Sequence, residues 1–138
     1  MKASMLLACL VLFLFNPTAH AGPVGDMKAS LASMRQHTMA MMGESDHGAL
    51  EMRHEESMKY SDMLDKQLDA ALNNKALAKA QPTLKQFKSL WEDLKKTRDS
   101  EIIPLMYAGD RMKARMTAMT TQQPRFKKLN ELLDSLPQ

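Results

Sequence analysis

The sequence predicts an all-α protein, an up-down-up-down antiparallel four-helix bundle, on three observations. Apolar residues recur three and four positions apart over long stretches, the period of one helix face. Strand signals are missing: β-branched runs are few, period-two alternation is absent, and the chain has only five Gly. Turn-forming residues then cut it into four stretches of roughly 20 to 28 residues with short connections, the proportions of a bundle.

Ahead of those stretches, Lys2 gives a positive start, residues 5–15 form an apolar run, and Ala19-His20-Ala21 offers a small-x-small cleavage site before Gly22. This pattern predicts a secretory signal over residues 1–21, too short to remain as a membrane span. The apolar run follows Cys9 instead of preceding it, which argues against a lipoprotein box. The expected mature product is a single domain, residues 22–138, exported to the periplasm and not inserted in the membrane. Cys9 leaves with the signal, so no disulfide, thiolate ligand or Cys nucleophile is expected.

The first segment carries Val24, Met27, Leu31, Met34 and Met41 and stops at Gly43-Glu44-Ser45-Asp46-His47-Gly48. The second runs from about Ala49 to Leu72 through Leu50, His54, Met58, Ser61, Leu64 and Leu68. Asn73-Asn74 and the residues up to Pro82 make the middle connection. A third segment carries Leu77, Leu84, Phe87, Trp91, Leu94, Arg98, Ile102 and Leu105, with Pro104 disturbing its end before Gly109. Asp110 reads as the N-cap of a fourth, whose stripe runs Met112, Met116, Met119, Gln123, Phe126, Leu133. That stripe crosses Pro124, so the last helix is expected to kink or break there.

Composition narrows the function. Without Lys2 the chain has 18 basic and 16 acidic residues, a net charge of +2, which does not support nucleic-acid binding. The GxSxG, CxxC, HExxH and glycine-rich phosphate motifs are absent, and no acid–base pair is marked, so no catalytic activity is expected. CxxCH is absent too, which removes covalent c-type haem by that motif.

Methionine stands out instead, at 14 residues against four Phe, two Tyr and one Trp. In the expected topology the first and third turns share a pole, which gathers Met34, Met39, Met41, Met42, Met52 and Met58 with Met106, Met112 and Met116. His37, His47 and His54 fall in the same region, and His37 is expected level with His54, Met39 with Met52, Met34 with Met58. The opposite pole is rich in leucine. Met34, Met41, Met112, Met116 and Met119 sit on seam positions, where the thioether serves as core filler. Met39, Met42 and Met52 fall beside the stripe and are expected at the surface, where oxidants would reach them first.

Thioether and imidazole also ligate soft monovalent metal, which makes Met34, His37, Met39, Met42, Met52, His54 and Met58 candidate ligands for Cu(I) or Ag(I). Arg98 lies in the apolar stripe of the third segment, where a guanidinium needs an acid such as Asp62, Asp65 or Glu101, or an anionic ligand. Arg53, in the polar start of the second segment beside His54, Glu55 and Glu56, is the second candidate ligand contact.

The run Trp91-Glu92-Asp93-Leu94-Lys95-Lys96-Thr97-Arg98-Asp99, then Ile103-Pro104, Ala108-Gly109-Asp110 and Lys113-Ala114, resembles the four-helix-bundle sensor domains of methyl-accepting chemotaxis receptors. Here a cleavable signal stands where such receptors carry a first membrane helix. The resemblance implies a stand-alone periplasmic bundle that binds a small molecule or a partner's helices, with Arg98 as its one transferable site residue. A second copy of the chain is a further expected partner.

Overall fold

The computed structural model describes residues 22–138; the expected signal segment lies outside the described residues. Helix α1 spans Gly22–Met41 and α2 spans His47–Leu72. The carboxylate of Asp46 caps α2 by accepting from the Ala49 N–H at 2.9 Å, satisfying one of the donors that a helix start leaves free. A 3₁₀ turn, Lys75–Ala80, leads into α3, Gln81–Thr97, with Pro82 in its first turn. After α3 the chain passes through a π turn, Arg98–Ile102, into α4, Ile103–Tyr107; these make the third segment. Gly109 then takes φ +81°, a conformation that costs other residues energy. Asp110 caps α5, Arg111–Thr117, by accepting from the Lys113 N–H at 3.2 Å. A second π turn, Ala118–Gln122, and α6, Gln123–Asp134, complete the fourth segment. The described residues are thus helical in four segments, without a strand.

Both π turns precede a proline. Pro104 and Pro124 stand in the first turns of α4 and α6. A proline inside an α-helix has no N–H to give and drives its ring into the carbonyl four residues back. The wider turn, closed by bonds from Ile103 N–H to the Arg98 carbonyl and Gln123 N–H to the Ala118 carbonyl, takes up that conflict without ending the segment.

The extra residue in each wide turn also rotates the buried face. In the fourth segment the inward residues are Ala114, Ala118, Gln122 and Phe126, spaced by four. A 3.6-residue period extended backwards from Phe126 had placed Met112, Met116 and Met119 in the seam. They are instead 78%, 59% and 58% exposed. The third segment shifts the same way, burying Met106 where Leu105 was expected.

The core falls into two clusters. The larger joins Val24, Met27, Leu31 and Met34 to Leu64, Leu68, Leu84, Phe87, Trp91, Leu94, Leu129 and Leu133. The smaller contains Met41, Met42, Leu50, Ile102, Ile103, Met106, Ala114 and Ala118. Between them lies a belt of buried polar residues: Thr38, Ser57, Ser61, Thr97, Arg98 and Gln122. Their bonds tie the segments together. Thr38 and Ser57 share a hydroxyl–hydroxyl bond of 2.6 Å between α1 and α2. Arg98 donates to Ser61 at 3.0 Å, and the Gln122 amide donates to the Leu94 carbonyl at 2.9 Å. Ion pairs close the periphery: Lys95 reaches Asp65 at 2.7 Å and Lys28 reaches Asp134 at 2.8 Å. The Asp65 carboxylate also accepts from the indole N–H of fully buried Trp91 at 2.7 Å.

Candidate functional site

Three members of the polar belt, Thr38, Arg98 and Gln122, line a pocket between α1, the third segment and the fourth segment, with a cavity of about 40 Å³. A water needs roughly 10–15 Å³ measured this way, so the cavity admits a few waters or a small group, not a large ligand. Its floor is buried: Met34, Thr38, Leu94, Arg98, Ile102, Ala118, Gln122 and Phe126. Its rim is exposed: Arg35, Met39, Met119 and Gln123.

Arg98 dominates the floor chemically. Its side chain is 1% exposed, held inward by the π turn. Nε and Nη2 donate to the two oxygens of Asp99 at 2.6 and 3.1 Å, and Nη1 donates to Ser61. The partner is Asp99, not the expected Asp62, Asp65 or Glu101; Asp65 is occupied by Trp91 and Lys95. A guanidinium has five N–H donors. Three are engaged in this way, leaving one on each terminal nitrogen for an oxygen acceptor in the pocket.

Arg53 is placed differently. Its Nε donates to the Glu44 carboxylate at 3.3 Å, while Arg111 donates to the Glu44 carbonyl. Arg53 thus ties the turn between α1 and α2 to α2, and Arg111 ties it to the start of α5, away from the pocket.

The candidate metal ligands divide among several environments. Met34 is fully buried at the pocket floor, its sulfur 3.5 Å from the Thr38 hydroxyl, and Met39 lies at the rim. Met42, expected at the surface, is 4% exposed and packs in the smaller core cluster. Met52 is exposed on α2 and Met58 is half-buried. The expected level of His37 with His54 gives way to two separate aromatic contacts. His37 stacks on Tyr60 with centroids 5.6 Å apart, its Nδ1 buried without a hydrogen-bond partner. His54 meets Tyr107, its Nδ1 3.1 Å from the phenol oxygen, and His47 packs edge-on against the same ring. Burial holds the Tyr107 phenol above its ordinary pKa of 10.0, with Glu51 and Glu55 adding to the effect. The pocket does gather three thioethers, Met34, Met39 and Met119. Among the described residues, no three His, Cys, Asp or Glu side chains are grouped to hold a metal ion.

Thr38, Ser57, Asp99 and Gln122 were not singled out from sequence. For Gln122 the signal is a spacing of four, as in Ala114-Ala118-Gln122-Phe126, which marks a segment wound wider than an α-helix. Also among the described residues, no helix is long and apolar enough to cross a membrane. No protein-family model, curated protein or solved structure matches the chain.

Proposed function

We propose that this protein is a non-catalytic periplasmic bundle that binds a small, largely apolar molecule carrying a carboxylate or carbonyl oxygen, with Arg98 as the anchor. The observation that carries the reading is a guanidinium 1% exposed, with two N–H donors unengaged, at the floor of a pocket otherwise lined mainly by apolar side chains. In such surroundings a hydrogen bond to an ionised donor is worth more than at the surface. The Asp99 carboxylate already neutralises much of the charge, which favours one acceptor oxygen on the ligand over a strongly charged anion. The segments run up, down, up and down in this reading. Thr38 with Ser57, Ser61 with Arg98, Leu94 with Gln122 and Lys28 with Asp134 support that order. The resemblance to chemotaxis sensor domains points the same way, and a partner protein would then receive the signal.

A thermal-shift screen of short aliphatic and aromatic carboxylates, amides and ketones tests the reading. At least one class should raise Tm by mass action, and Arg98→Met should abolish the shift. If Arg98→Met does not fold, Gln122→Leu and Met34→Leu at the same floor provide the second test. A screen without any shift, or a shift that survives these changes, overturns the proposal.

Cu(I) or Ag(I) buffering is the second reading, and the three thioethers at one pocket favour it. The neighbouring guanidinium opposes a bound cation, which is why it stands second. Anaerobic Cu(I) titration against a competing chelator tests it. Metal should be held tightly and released when Met34, Met39 and Met119 are all changed to Leu; no competition, or unchanged binding in that variant, excludes it.

A further inference from the structure

A net charge of +2 conceals a partition that only the fold reveals. α1 with its following turn and the fourth segment with its tail, residues 22–43 and 111–138, carry eight basic and three acidic residues, a balance of +5. Residues 44–110 carry ten basic and thirteen acidic residues, a balance of −3. α1 and the fourth segment are neighbours. Lys28 pairs with Asp134, the Arg35 guanidinium lies 4.9 Å above the Phe126 ring, and both elements line the Arg98 pocket. Charge in this molecule is therefore separated by side.

The same side displays apolar residues. Met112, Met116 and Met119 recur at four and three, opposite the inward-facing Ala114 and Ala118, and are more than half exposed. Met39 of α1 and Met119 both line the pocket rim. Exposed Arg115 stands within this row, exposed Lys113 adjoins Met112, and exposed Arg35 lines the pocket with Met119. Acidic groups lie at its margins. Glu101 shares a shallow groove with Lys113, Asp110 caps α5, and Glu44 is engaged by Arg53. Thioethers on a rod's outer face, rimmed by cations, form the pattern of a helix lying in a lipid interface.

We propose that this shared face of α1 and the fourth segment docks on a bilayer with anionic headgroups. The row is more than half exposed and runs to the pocket rim at Met119, so its thioethers are free to enter a soft interface. A bilayer interface accepts them at any orientation, and its negative surface potential attracts the cations. The contact is peripheral.

The test is co-sedimentation of protein purified after export with vesicles of phosphatidylcholine alone or with about 30% phosphatidylglycerol. Binding should require the anionic lipid and should fall away as salt rises from about 0.05 M to about 0.5 M. Lys113→Gln with Arg115→Gln should weaken it about 25-fold, at about fivefold per cation. Changing Met112, Met116 and Met119 together to Gln should weaken it at least about tenfold, with the unfolding curve unchanged because all three are exposed. Lys66→Gln with Lys85→Gln, on the other side, should leave binding unaltered. Equal binding to neutral vesicles, no binding to either, or indifference to the methionine changes overturns the proposal. So does retention on an acidic polypeptide column without vesicle binding, which assigns the face to a protein partner.

Discussion

Thr38 and Ser57 meet through a 2.6 Å hydroxyl–hydroxyl bond between α1 and α2, in the layer that separates the two core clusters. Each is more than nine-tenths buried and lies within reach of the Met34 carbonyl, Thr38 at 2.9 Å and Ser57 at 3.4 Å. With one proton apiece, one hydroxyl donates to the other and the second donates to the carbonyl, so removing either loses the shared bond while the other keeps an acceptor. Thr38→Val and Ser57→Ala should therefore each cost about 0.5–1.5 kcal/mol, and the double variant should cost clearly less than the two added together. Urea unfolding of the four proteins measures this coupling; additive losses would contradict it.

The helical class, the four segments and the cap at Asp110 follow from local chemistry, so periodicity and turn residues reveal them. Arg98 was also legible, because a guanidinium within an apolar stripe contradicts its surroundings. The inward face of the fourth segment was not. Met112, Met116 and Met119 fit a 3.6-residue period running to Phe126, whereas Ala114, Ala118 and Gln122 fit a period of four. Only the wide turn chooses between them. Numbering across the hairpin placed His37 level with His54 but carried no information on rotation, and each imidazole turns toward a different tyrosine.

The π turn before Pro124 behaves in this account as a one-residue insertion that accommodates the proline. Deleting Thr120 should return the stretch to α geometry while keeping Ala114 and Ala118 inward. The Pro124 ring would then strike the carbonyl four residues back, at a cost of about 3 kcal/mol. Combining the deletion with Pro124→Ala should recover most of that loss. Equilibrium unfolding distinguishes the outcomes, and a double variant no more stable than the deletion alone would show that the insertion serves some other end.

Exposure orders the methionines toward oxidants. Hydrogen peroxide or hypochlorite delivers one oxygen to a thioether, forming the sulfoxide, and leaves water or chloride. Met112, Met116, Met119 and Met52 should react first in the folded protein, while Met34, Met41, Met42 and Met106 should be protected until it unfolds. Peptide mass mapping at low oxidant dose reads this directly. Early sulfoxide at Met42, which the sequence had placed on the surface, would contradict the packing of the smaller cluster.

Tyr107 gives the fold a pH dependence on the alkaline side. Its pKa is raised from 10.0, first by partial desolvation of the phenol, although the side chain is 38% exposed, and then by Glu51 and Glu55 disfavouring the phenolate. The unfolded chain therefore loses this proton first, near pH 10, while the folded chain keeps it. Where the unfolded state binds fewer protons, stability falls with rising pH. The contribution is complete below about pH 10 and declines from there to the raised value in the folded protein. Tyr107→Phe retains the ring against His47 and His54 but removes the proton. Urea midpoints taken from about pH 9 to about pH 11 should fall more steeply in the parent than in Tyr107→Phe. The two proteins differ only in the phenol oxygen, so the difference between their slopes isolates it. Parallel slopes would mean that Tyr107 ionises as readily folded as unfolded.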